Sequence, residues 1–370
     1  MQSYHKALTI TMVLYLGIFC LLFAVLPKRT FSEAENRYLQ SRPAFSWDKL
    51  LSGEFGQTAE KYLSDQFILR DTWISLKAKA ELLLQKNDHH GVYFGREGYL
   101  LQKPSQQEKE QVGRNIAAVN EFAKQVNGRI YFMLAPVSAQ ILRDKLPRYA
   151  APQIIEPGEV RSQMSKEITF IDPTAVLESQ RQENIYYKTD HHWTTRGAYF
   201  AYQEAAKIMG VTALPQDAYT VKQVSDNFYG TLYSQSGYPC QPDTIQLFVP
   251  QKKQQYTVAY ADKHKISDSV YACEHLQKKD QYALFLDGNH ALIKITTPNQ
   301  AGKKLLIIKD SYANALVPFL IPHFSEIHVL DLRYFHHQVK DYFEEKGLEE
   351  IFFVYNTITF AAETSLRKLR

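Results

Sequence analysis

Five short apolar runs, separated for the most part by stretches with helical spacing, constrain the fold of this chain more than any other feature. The runs lie at 129–135, 168–172, 304–309, 326–330 and 351–355. Runs of this length and composition are typical of strands buried in a parallel sheet. Strands that alternate with helices build an open α/β sheet. The sequence therefore predicts an α/β fold with a doubly wound, mainly parallel sheet.

Helical spacing connects these runs. The stretches with this spacing are 105–126, 312–321 and 335–346. A further helix is predicted to begin after Thr194, a suitable N-cap, and to end at Met209, because Gly210 suits the position that follows a last helical turn.

Three other parts of the chain give different signals. Apolar residues at three-to-four spacing over 50–84 predict amphipathic helices whose aromatic side chains lie in the core. The glycine-broken run 91–101 predicts a β-hairpin with its turn at 96–98. Residues from 211 to about 282 are polar and rich in Tyr, Gln, Gly and Pro, so we expect an insertion of loops and hairpins there.

The N-terminal run that begins at Ala7 and ends at Leu26 carries no charge. Its length of about 20 residues, at about 1.5 Å each, matches the roughly 30 Å hydrocarbon layer of a bilayer. A cleaved signal peptide or a buried core helix could have the same composition. No small-x-small cleavage site precedes Pro27, and the run is longer than a usual signal core. We therefore expect a membrane anchor at 1–29 and a main domain at 30–370, whose side of the membrane the balanced basic flanks do not fix.

Charge and cysteine content indicate which kinds of binding partner and metal site are to be expected. The chain has 43 Lys and Arg against 39 Asp and Glu, and no basic run stands out, which argues against a nucleic-acid partner. Cys20 lies in the apolar run, whereas Cys240 and Cys273 could form a disulfide in an exported domain or stay free. No Cys-x-x-Cys pair predicts structural zinc, and we expect no metal or cofactor.

The sequence Asp190-His191-His192 offers an acid and a base just before a predicted helix. If this segment is extended, residues i and i+2 project to the same side, which pairs Asp190 with His192 and turns His191 away. The carboxylate would then hold one ring nitrogen and leave the other to take a proton from a nucleophile. Taken alone, such a cluster is more often solvated or metal-binding.

Ser311 is the candidate nucleophile, because it follows the strand 304–309 and precedes a helix. Its hydroxyl would lie at the carboxyl end of the sheet, where its own N–H and the helix dipole can stabilise an oxyanion. A glycine turn after the apolar run 282–286 offers a second donor, either the Gly288 N–H or the Asn289 amide. Taken alone, Ser311 is more often a helix cap and Asn289 a turn residue. Their combination with an acid and a base strengthens a catalytic interpretation.

Four sequence blocks resemble the bacterial DHHW protein family. They are YYKTDHHWTTRGAYFAY, DNFYGTLYSQSG, FLDGNHALI and LLIIKDSYANALVPFL. More distantly, they resemble the alginate O-acetyltransferases of the SGNH-hydrolase superfamily. The resemblance extends from about Glu35 nearly to the C-terminus, and it implies an SGNH-hydrolase-like fold.

The resemblance also implies roles for individual residues. Asp190 would be the acid, His192 the base and Ser311 the nucleophile, with Asn289 where an oxyanion asparagine is expected. The family's Gly-Asp-Ser-like motif has Lys309 in place of glycine here, and its Gly-x-Asn-Asp block reads Gly-Asn-His. The acid and base precede the serine, as in the circularly permuted alginate enzymes.

The function implied is that of a membrane-anchored, extracytoplasmic O-acyltransferase, above all an O-acetyltransferase, which modifies a cell-surface or secreted polysaccharide through an acyl-serine. Proteins of this kind often work beside a membrane-bound O-acyltransferase that delivers the acyl group. An esterase with the same triad is one alternative, and a non-catalytic scaffold or glycan-binding partner is another. A metal-dependent phosphoesterase with Asp331, His336 and His337 as further ligands is a third.

Overall fold

The computed structural model describes residues 2–32, 35, 37–84, 86–104, 109–150 and 154–369. These residues divide into two compact units. The first comprises Met1–Lys86 and Ser234–Pro239, and the second comprises Asn87–Tyr233 and Cys240–Arg370.

A long apolar helix opens the first unit. Helix α1 is Gln2–Val25, and its segment Tyr4–Val25 is long and apolar enough to cross a membrane. Most of its large apolar side chains are exposed, as the side chains of a lipid-facing span would be in the isolated chain. The predicted N-terminal helix is therefore present, while its orientation stays a prediction.

Short elements follow α1 in the first unit. They are β1 (Phe31–Ser32), β2 (Arg37–Tyr38), α2 (Trp47–Leu51), α3 (Glu54–Asp65) and α4 (Arg70–Leu83). The amphipathic helices predicted over 50–84 are present. The prediction that their aromatic side chains lie in the core is wrong, because Phe67 and Trp73 are 45% and 44% exposed. Spacing fixes which residues share a helix face, but it does not say what covers that face.

The second unit contains thirteen of the strands among the described residues. They are β3 (Asp88–His89), β4 (Val92–Phe94), β5 (Leu100–Gln102), β6 (Arg129–Ala135), β7 (Ile168–Ile171), β8 (Tyr219–Phe228), β9 (Asp243–Pro250), β10 (Thr257–Tyr260), β11 (Lys265–Ser267), β12 (Leu292–Thr296), β13 (Lys303–Lys309), β14 (Phe324–Leu330) and β15 (Glu350–Asn356). The predicted hairpin is the pair β4 and β5, with a turn at Arg96–Gly98.

Helices connect these strands. They are α5 (Lys109–Gln125), α6 (Ser138–Ile141), α7 (Pro157–Gln163), α8 (Thr174–Ser179), α9 (Thr195–Met209), α10 (Thr231–Ser236, which runs into the first unit), α11 (Ala313–Leu320), α12 (Val339–Glu345) and α13 (Thr357–Ala362). Helix α9 has the predicted ends: the Thr194 side chain accepts a hydrogen bond from the Gly197 N–H, and Gly210 has a φ of +73°. The first residues of the helix predicted over 105–126 lie outside the described residues.

An eight-stranded sheet forms the centre of the second unit, in the order β11-β10-β12-β14-β13-β15-β6-β7. The five strands from β14 to β7 are parallel to one another, whereas β12, β10 and β11 form an antiparallel extension at the β14 edge. The fold is thus mixed α/β with a large, mostly parallel sheet, as predicted. The exact doubly wound arrangement stays a prediction.

Alternate residues of β13 enter cores on opposite faces of the sheet. Leu305 and Ile307 pack in one core with residues of α9 and α11, whereas Leu306 and Ile308 pack in the other with residues of α5 and α12. Burial on both faces explains why this strand reads as a continuous apolar run. Packing on both faces therefore holds the carboxyl end of β13 in place, which suits a strand end that positions a functional side chain.

The stretch 211–282 contains more sheet than its composition suggested. Strands β8 and β9 pair with each other as a separate antiparallel ribbon, in line with the expected hairpins. Strands β10 and β11 instead join the main sheet. Cys240 and Cys273 flank these strands, and both are free thiols in this structure.

Candidate active site

Ser311 lies two residues after β13 and two residues before α11. The preceding residue, Asp310, fixes this turn. Its Oδ1 accepts a hydrogen bond from the Tyr312 N–H at 2.9 Å, and its Oδ2 accepts one from the Asn356 N–H at 2.7 Å. Burial raises the pKa of the Asp310 carboxyl to about 6, although the bonds that it accepts act in the opposite direction. Because Asn356 ends the neighbouring strand β15, the turn that carries Ser311 is bound to two adjacent strands.

Asp190, His192 and Ser311 form one chain of hydrogen bonds. Oδ1 of Asp190 lies 2.5 Å from Nδ1 of His192, and Nε2 of His192 lies 2.8 Å from Oγ of Ser311. The first two side chains are buried, and Ser311 is partly exposed. With the Nδ1 proton held by the carboxylate, Nε2 can accept the serine proton. The three residues singled out from the sequence are therefore in contact, although 119 positions separate His192 from Ser311.

The segment before α9 is not extended as predicted but runs through a series of bends. Tyr186 and Trp193 close this loop with an isolated β-bridge. Inside it, the His192 N–H donates to Oδ1 of Asp190 at 3.0 Å. The predicted pairing of Asp190 with His192 is present, but a tight turn produces it rather than the alternation of a strand.

The prediction that His191 turns away from the site is wrong. Its ring centroid lies 3.8 Å from that of His192, and its Nδ1 lies 2.6 Å from Oγ1 of Thr231. A bend, unlike a strand, can bring neighbouring side chains to one side. Burial, and then the adjacent His192, lower the pKa of His191 to about 4. His191 is therefore neutral at pH 7 and adds no positive charge next to the candidate base.

Thr231 holds the second oxygen of Asp190. Its N–H and its hydroxyl donate to Oδ2 at 2.8 and 3.0 Å. Burial by itself raises the pKa of Asp190, but the two histidines and these hydrogen bonds outweigh it and hold the pKa well below its usual range. A Cβ on Gly230 would lie 2.2 Å from the Asp190 Cβ, so this close approach requires glycine. No motif in the sequence pointed to Thr231 as part of the site.

Trp193 and Tyr312 bind the two halves of the site to each other. Nε1 of Trp193 donates to the Tyr312 carbonyl at 3.0 Å, and the Tyr312 hydroxyl donates to the His191 carbonyl at 2.5 Å. Both side chains are completely buried. These two bonds set the distance between the histidine loop and the serine turn, which accounts for a tryptophan directly after the two histidines.

Tyr282 is a site residue that sequence reasoning missed. Its ring stacks on His192 with a centroid distance of 3.7 Å and an interplanar angle of 9°, and its hydroxyl donates to the Ser311 carbonyl at 3.2 Å. The stack restricts rotation of the imidazole about the axis that aligns Nε2 with Oγ. A tyrosine in a short apolar run looks like an ordinary core residue, so the sequence held no signal for this role.

Three groups were candidates for binding an oxyanion. The Ser311 N–H has no hydrogen-bond partner among the residues that the structure describes. The Gly288 N–H donates to the Phe285 carbonyl at 3.2 Å and is therefore already engaged. Asn289 is exposed, and its Oδ1 accepts from Nζ of Lys309 at 2.6 Å, which leaves Nδ2 to donate elsewhere. The Ser311 N–H and the Asn289 amide are thus the available donors of the three.

Lys309 occupies the position of the family's glycine and is buried. Its ammonium lies 3.8 Å from Oδ2 of Asp331, which Arg333 also binds. Burial lowers the pKa of Lys309 to about 8, even though the Asp331 charge acts to raise it. The lysine therefore lies between the buried carboxylate of Asp331 and the amide of Asn289.

Comparison with known proteins places the chain in a family. The DHHW family model matches residues 108–330, which is more than half of the chain. The chain belongs to the DHHW family. The prediction made from the four sequence blocks is confirmed. No curated protein matches the chain.

The chain is also similar to solved structures. A DHHW family protein from Eubacterium siraeum has a TM-score of 0.64 and 25% identity, over 76% of this chain and 95% of that chain. Bacillus cereus PatB1 with a sulfonyl adduct has a TM-score of 0.63 and 21% identity, over 75% of this chain and 97% of that chain. The O-acetyltransferase domain of Pseudomonas putida AlgJ has a TM-score of 0.47 and 15% identity, over 74% of this chain and 93% of that chain.

Two groups of described residues in this DHHW protein have ligand atoms within 4.8 Å of one another. They are Asp190, His191 and His192, and then Glu274, His275 and Asp287. In the first group, both ring nitrogens of His192 already take part in the chain to Ser311. In the second group, Lys263 and Lys265 lie 2.9 and 3.3 Å from Oδ2 of Asp287, and their charges oppose a bound cation.

The further ligands suggested for a metal-dependent phosphoesterase do not join the histidine cluster. Asp331 is bound by Arg333 at 2.5 Å, and His336 and His337 are exposed. None of the three belongs to either group of potential metal ligands among the described residues. The arrangement suits proton transfer from a serine better than the binding of a metal.

Proposed function

We propose that this protein is a membrane-anchored, extracytoplasmic O-acyltransferase that transfers an acyl group, above all acetyl, to a cell-surface or secreted polysaccharide. The observation that carries the proposal is the unbroken chain of hydrogen bonds from Asp190 through His192 to Ser311. A buried carboxylate that holds an imidazole, which in turn contacts a partly exposed hydroxyl, is the arrangement by which serine enzymes activate their nucleophile. Membership of the DHHW family supports the same reaction class.

In the first half-reaction, Oγ of Ser311 attacks the carbonyl carbon of the acyl donor while Nε2 of His192 takes the hydroxyl proton. The oxyanion that forms can accept hydrogen bonds from the Ser311 N–H and the Asn289 amide. When the tetrahedral intermediate collapses, the bond to the leaving group breaks and His192 returns the proton to that group. The product is an acyl ester on Ser311, with His192 neutral again.

In the second half-reaction, a sugar hydroxyl takes the place of the leaving group. His192 removes its proton as the oxygen attacks the acyl-serine, and the proton then returns to Oγ of Ser311. The carboxylate of Asp190 stabilises the imidazolium in both steps, because the environment of Asp190 keeps it ionised. The acyl group leaves on the sugar, and the free enzyme is restored.

Helix α1 and the family resemblance support the proposed setting of the reaction. A span at the N-terminus supports a membrane tether, and the family resemblance implies action on a glycan outside the cytoplasmic membrane. A membrane-bound O-acyltransferase that supplies the acyl group is the partner we propose. A protease added to intact cells tests the orientation, because an extracytoplasmic domain is cleaved there and a cytoplasmic one is protected.

The reaction is tested with the full-length protein in detergent, a chromogenic acetyl ester, and candidate polysaccharides as acceptors. We expect wild type to release acetyl, to acetylate the correct glycan, and to lose both activities on Ser311→Ala. Acetyl release as fast in Ser311→Ala as in wild type would contradict the mechanism.

The same assay separates the alternatives. An esterase releases acetyl to water and leaves every glycan unmodified. A non-catalytic scaffold releases none and does not react with a fluorophosphonate probe. A metal-dependent phosphoesterase loses its activity to a chelator, whereas we expect the acetyl ester reaction to survive chelation.

A further inference from the structure

We propose that the α3–α4 corner, defined as residues 62–76, is embedded in the interfacial layer of the bilayer that α1 crosses. The proposal rests on α1 as a membrane span and is independent of the acyl-transfer chemistry. It concerns the first unit alone. It would make this part of the chain a second point of attachment to the lipid surface rather than a free spacer.

Two aromatic contacts connect the corner to α1. The ring of Phe67 stacks on that of Phe19 at a centroid distance of 5.8 Å and an interplanar angle of 21°. The ring of Tyr62 meets that of Phe23 edge-on at 6.0 Å. Both α1 residues belong to the candidate span Tyr4–Val25. If α1 lies in the hydrocarbon layer, then the side chains that pack on these two phenylalanines lie at membrane depth as well.

The depth of these contacts matches an interfacial position. At about 1.5 Å per residue, Phe19 lies about 9 Å from the Val25 end of the span, and Phe23 lies about 3 Å from it. Interfacial helices bury their apolar face about 5–10 Å into the boundary between head groups and acyl chains. The Phe67 contact therefore lies in the range of depth that an embedded amphipathic segment occupies, and the Tyr62 contact lies closer to the head groups.

Polar contacts hold the other side of the corner at the level of the head groups. The Arg29 N–H donates to Oε1 of Gln66 at 3.0 Å, and Nε2 of Gln66 donates to the Arg29 carbonyl at 2.8 Å. The Arg29 guanidinium binds Oδ2 of Asp71 at 2.7 Å. Because Arg29 follows the span by four residues, these three bonds fix the corner to the point where the chain leaves the membrane.

The surface that the corner presents is mainly apolar. Its exposed large apolar residues, with their exposed fractions, are Leu63 (53%), Phe67 (45%), Leu69 (68%), Trp73 (44%) and Leu76 (53%), whereas its other exposed residues are Ser64 and Thr72. Soluble surfaces rarely group large apolar side chains in this way. Leu69 has a φ of +53°, a left-handed conformation that is uncommon and unfavourable for leucine. Burial of the Leu69 side chain in lipid would offset the unfavourable backbone conformation, whereas exposure of the side chain to water would not.

Lipid is the occupant that the geometry favours over a second protein. A protein partner could cover the same side chains, but it would not explain why their depth follows that of the span. A bilayer explains both the apolar surface and its depth. We therefore expect the corner to contact lipid in vesicles that contain no other protein.

Tryptophan quenching tests this in the full-length chain. The chain has three tryptophans, of which Trp193 is completely buried. In a Trp47→Phe background, Trp73 is then the exposed fluorophore, at the corner itself. The protein is reconstituted in phosphatidylcholine vesicles with brominated or ordinary acyl chains. We expect brominated lipid to quench the emission, and we expect the quenching to disappear when Trp73→Phe is added.

A second fluorophore guards against a local effect at position 73. Leu69→Trp, added to the Trp47→Phe, Trp73→Phe protein, should restore quenching by brominated lipid. The proposal is overturned if brominated lipid leaves the emission of both Trp73 and the new tryptophan unchanged. It is also overturned if aqueous iodide, rather than brominated lipid, quenches that emission. Flotation with the vesicles separates this result from a failure of α1, because a protein without a membrane anchor stays at the bottom of the gradient.

Discussion

The ammonium of Lys309 lies 2.6 Å from Oδ1 of Asn289. A lysine side chain has donors and no acceptor, so the atom that faces it must be the amide oxygen. Nδ2 of Asn314 approaches the same oxygen at 3.4 Å. The Asn289 NH2 group is therefore turned away from Lys309 and is free to act as an oxyanion donor. A residue that replaces the family's glycine thus selects the orientation of a residue in the candidate site.

Lys309→Met is expected to release this orientation. Removal of one oxyanion donor costs about 10²–10³ in kcat, and a donor that is present but misoriented should cost up to that amount. We expect kcat for the acetyl ester to fall with little change in KM, because the contact acts on the transition state. Steady-state kinetics check this. Lys304→Met is the matched control, since Lys304 lies on the same strand and its side chain is partly exposed.

A double substitution separates this role from a loss of packing. If Lys309 acts through Asn289, then Lys309→Met adds no further loss of kcat to an Asn289→Ala protein. Independent losses that multiply would show that Lys309 acts elsewhere, for example through Asp331.

Asp190→Asn should lower kcat by roughly 10⁴ at neutral pH, because an amide no longer stabilises the imidazolium and can favour the wrong tautomer of His192. Thr231→Val removes one hydrogen bond to Oδ2 and leaves the Thr231 N–H, so its effect should be much smaller. Rates of acetyl release from the same ester compare the two. Equal losses of kcat in the two variants would mean that the charge of the Asp190 carboxylate does not contribute to catalysis.

Two substitutions of Tyr282 separate the effects of its two contacts. Tyr282→Phe keeps the ring on His192 and loses the hydrogen bond to the Ser311 carbonyl, whereas Tyr282→Ala loses both. We expect the phenylalanine variant to retain most of its kcat and the alanine variant to lose about tenfold or more, as a catalytic imidazole loses its alignment. Alanine and phenylalanine variants of equal activity would exclude the stack as a positioning contact.

The pH dependence of stability tests the environment of Asp310. Its pKa of about 6 lies above the usual value of about 3.9. Between these values the folded protein keeps a proton that the unfolded chain releases, so protonation stabilises the folded state, and the gain is lost as pH rises through about 6. The Tm of wild type, taken relative to Asp310→Asn, should therefore fall between about pH 4 and pH 7. A constant difference in Tm across this range would contradict the raised pKa.

Much of the α/β part could be predicted because burial on both faces leaves an unmistakable pattern. Strand β13 reads as a continuous apolar run, and α9 carries both of its end signals, Thr194 and Gly210. Strands β10 and β12 were harder to recognise, because they are short and lie in or beside polar stretches. The prediction that the aromatic side chains of 50–84 lie in the core is wrong, since Phe67 and Trp73 are exposed. Sequence periodicity cannot distinguish a face that contacts protein from one that contacts lipid.

The candidate site, like the fold, could be predicted only in part. Asp190, His192 and Ser311 could be found because each lies beside a helix start and because their order matches a known family. His191 was misplaced because the local backbone bends where an extended segment was assumed. Tyr282 acts through a stack on His192 that only the tertiary structure creates.

Covalent labelling tests the central claim most directly. The full-length protein is treated with phenylmethanesulfonyl fluoride, and the modified residue is located by peptide mass spectrometry. We predict one sulfonyl group on Ser311 in wild type, with acetyl release lost in proportion to labelling, and much slower labelling in His192→Ala. Unmodified Ser311 in a protein that still releases acetyl, or labelling of Ser311 at the same rate in His192→Ala, would contradict a nucleophile activated by this histidine.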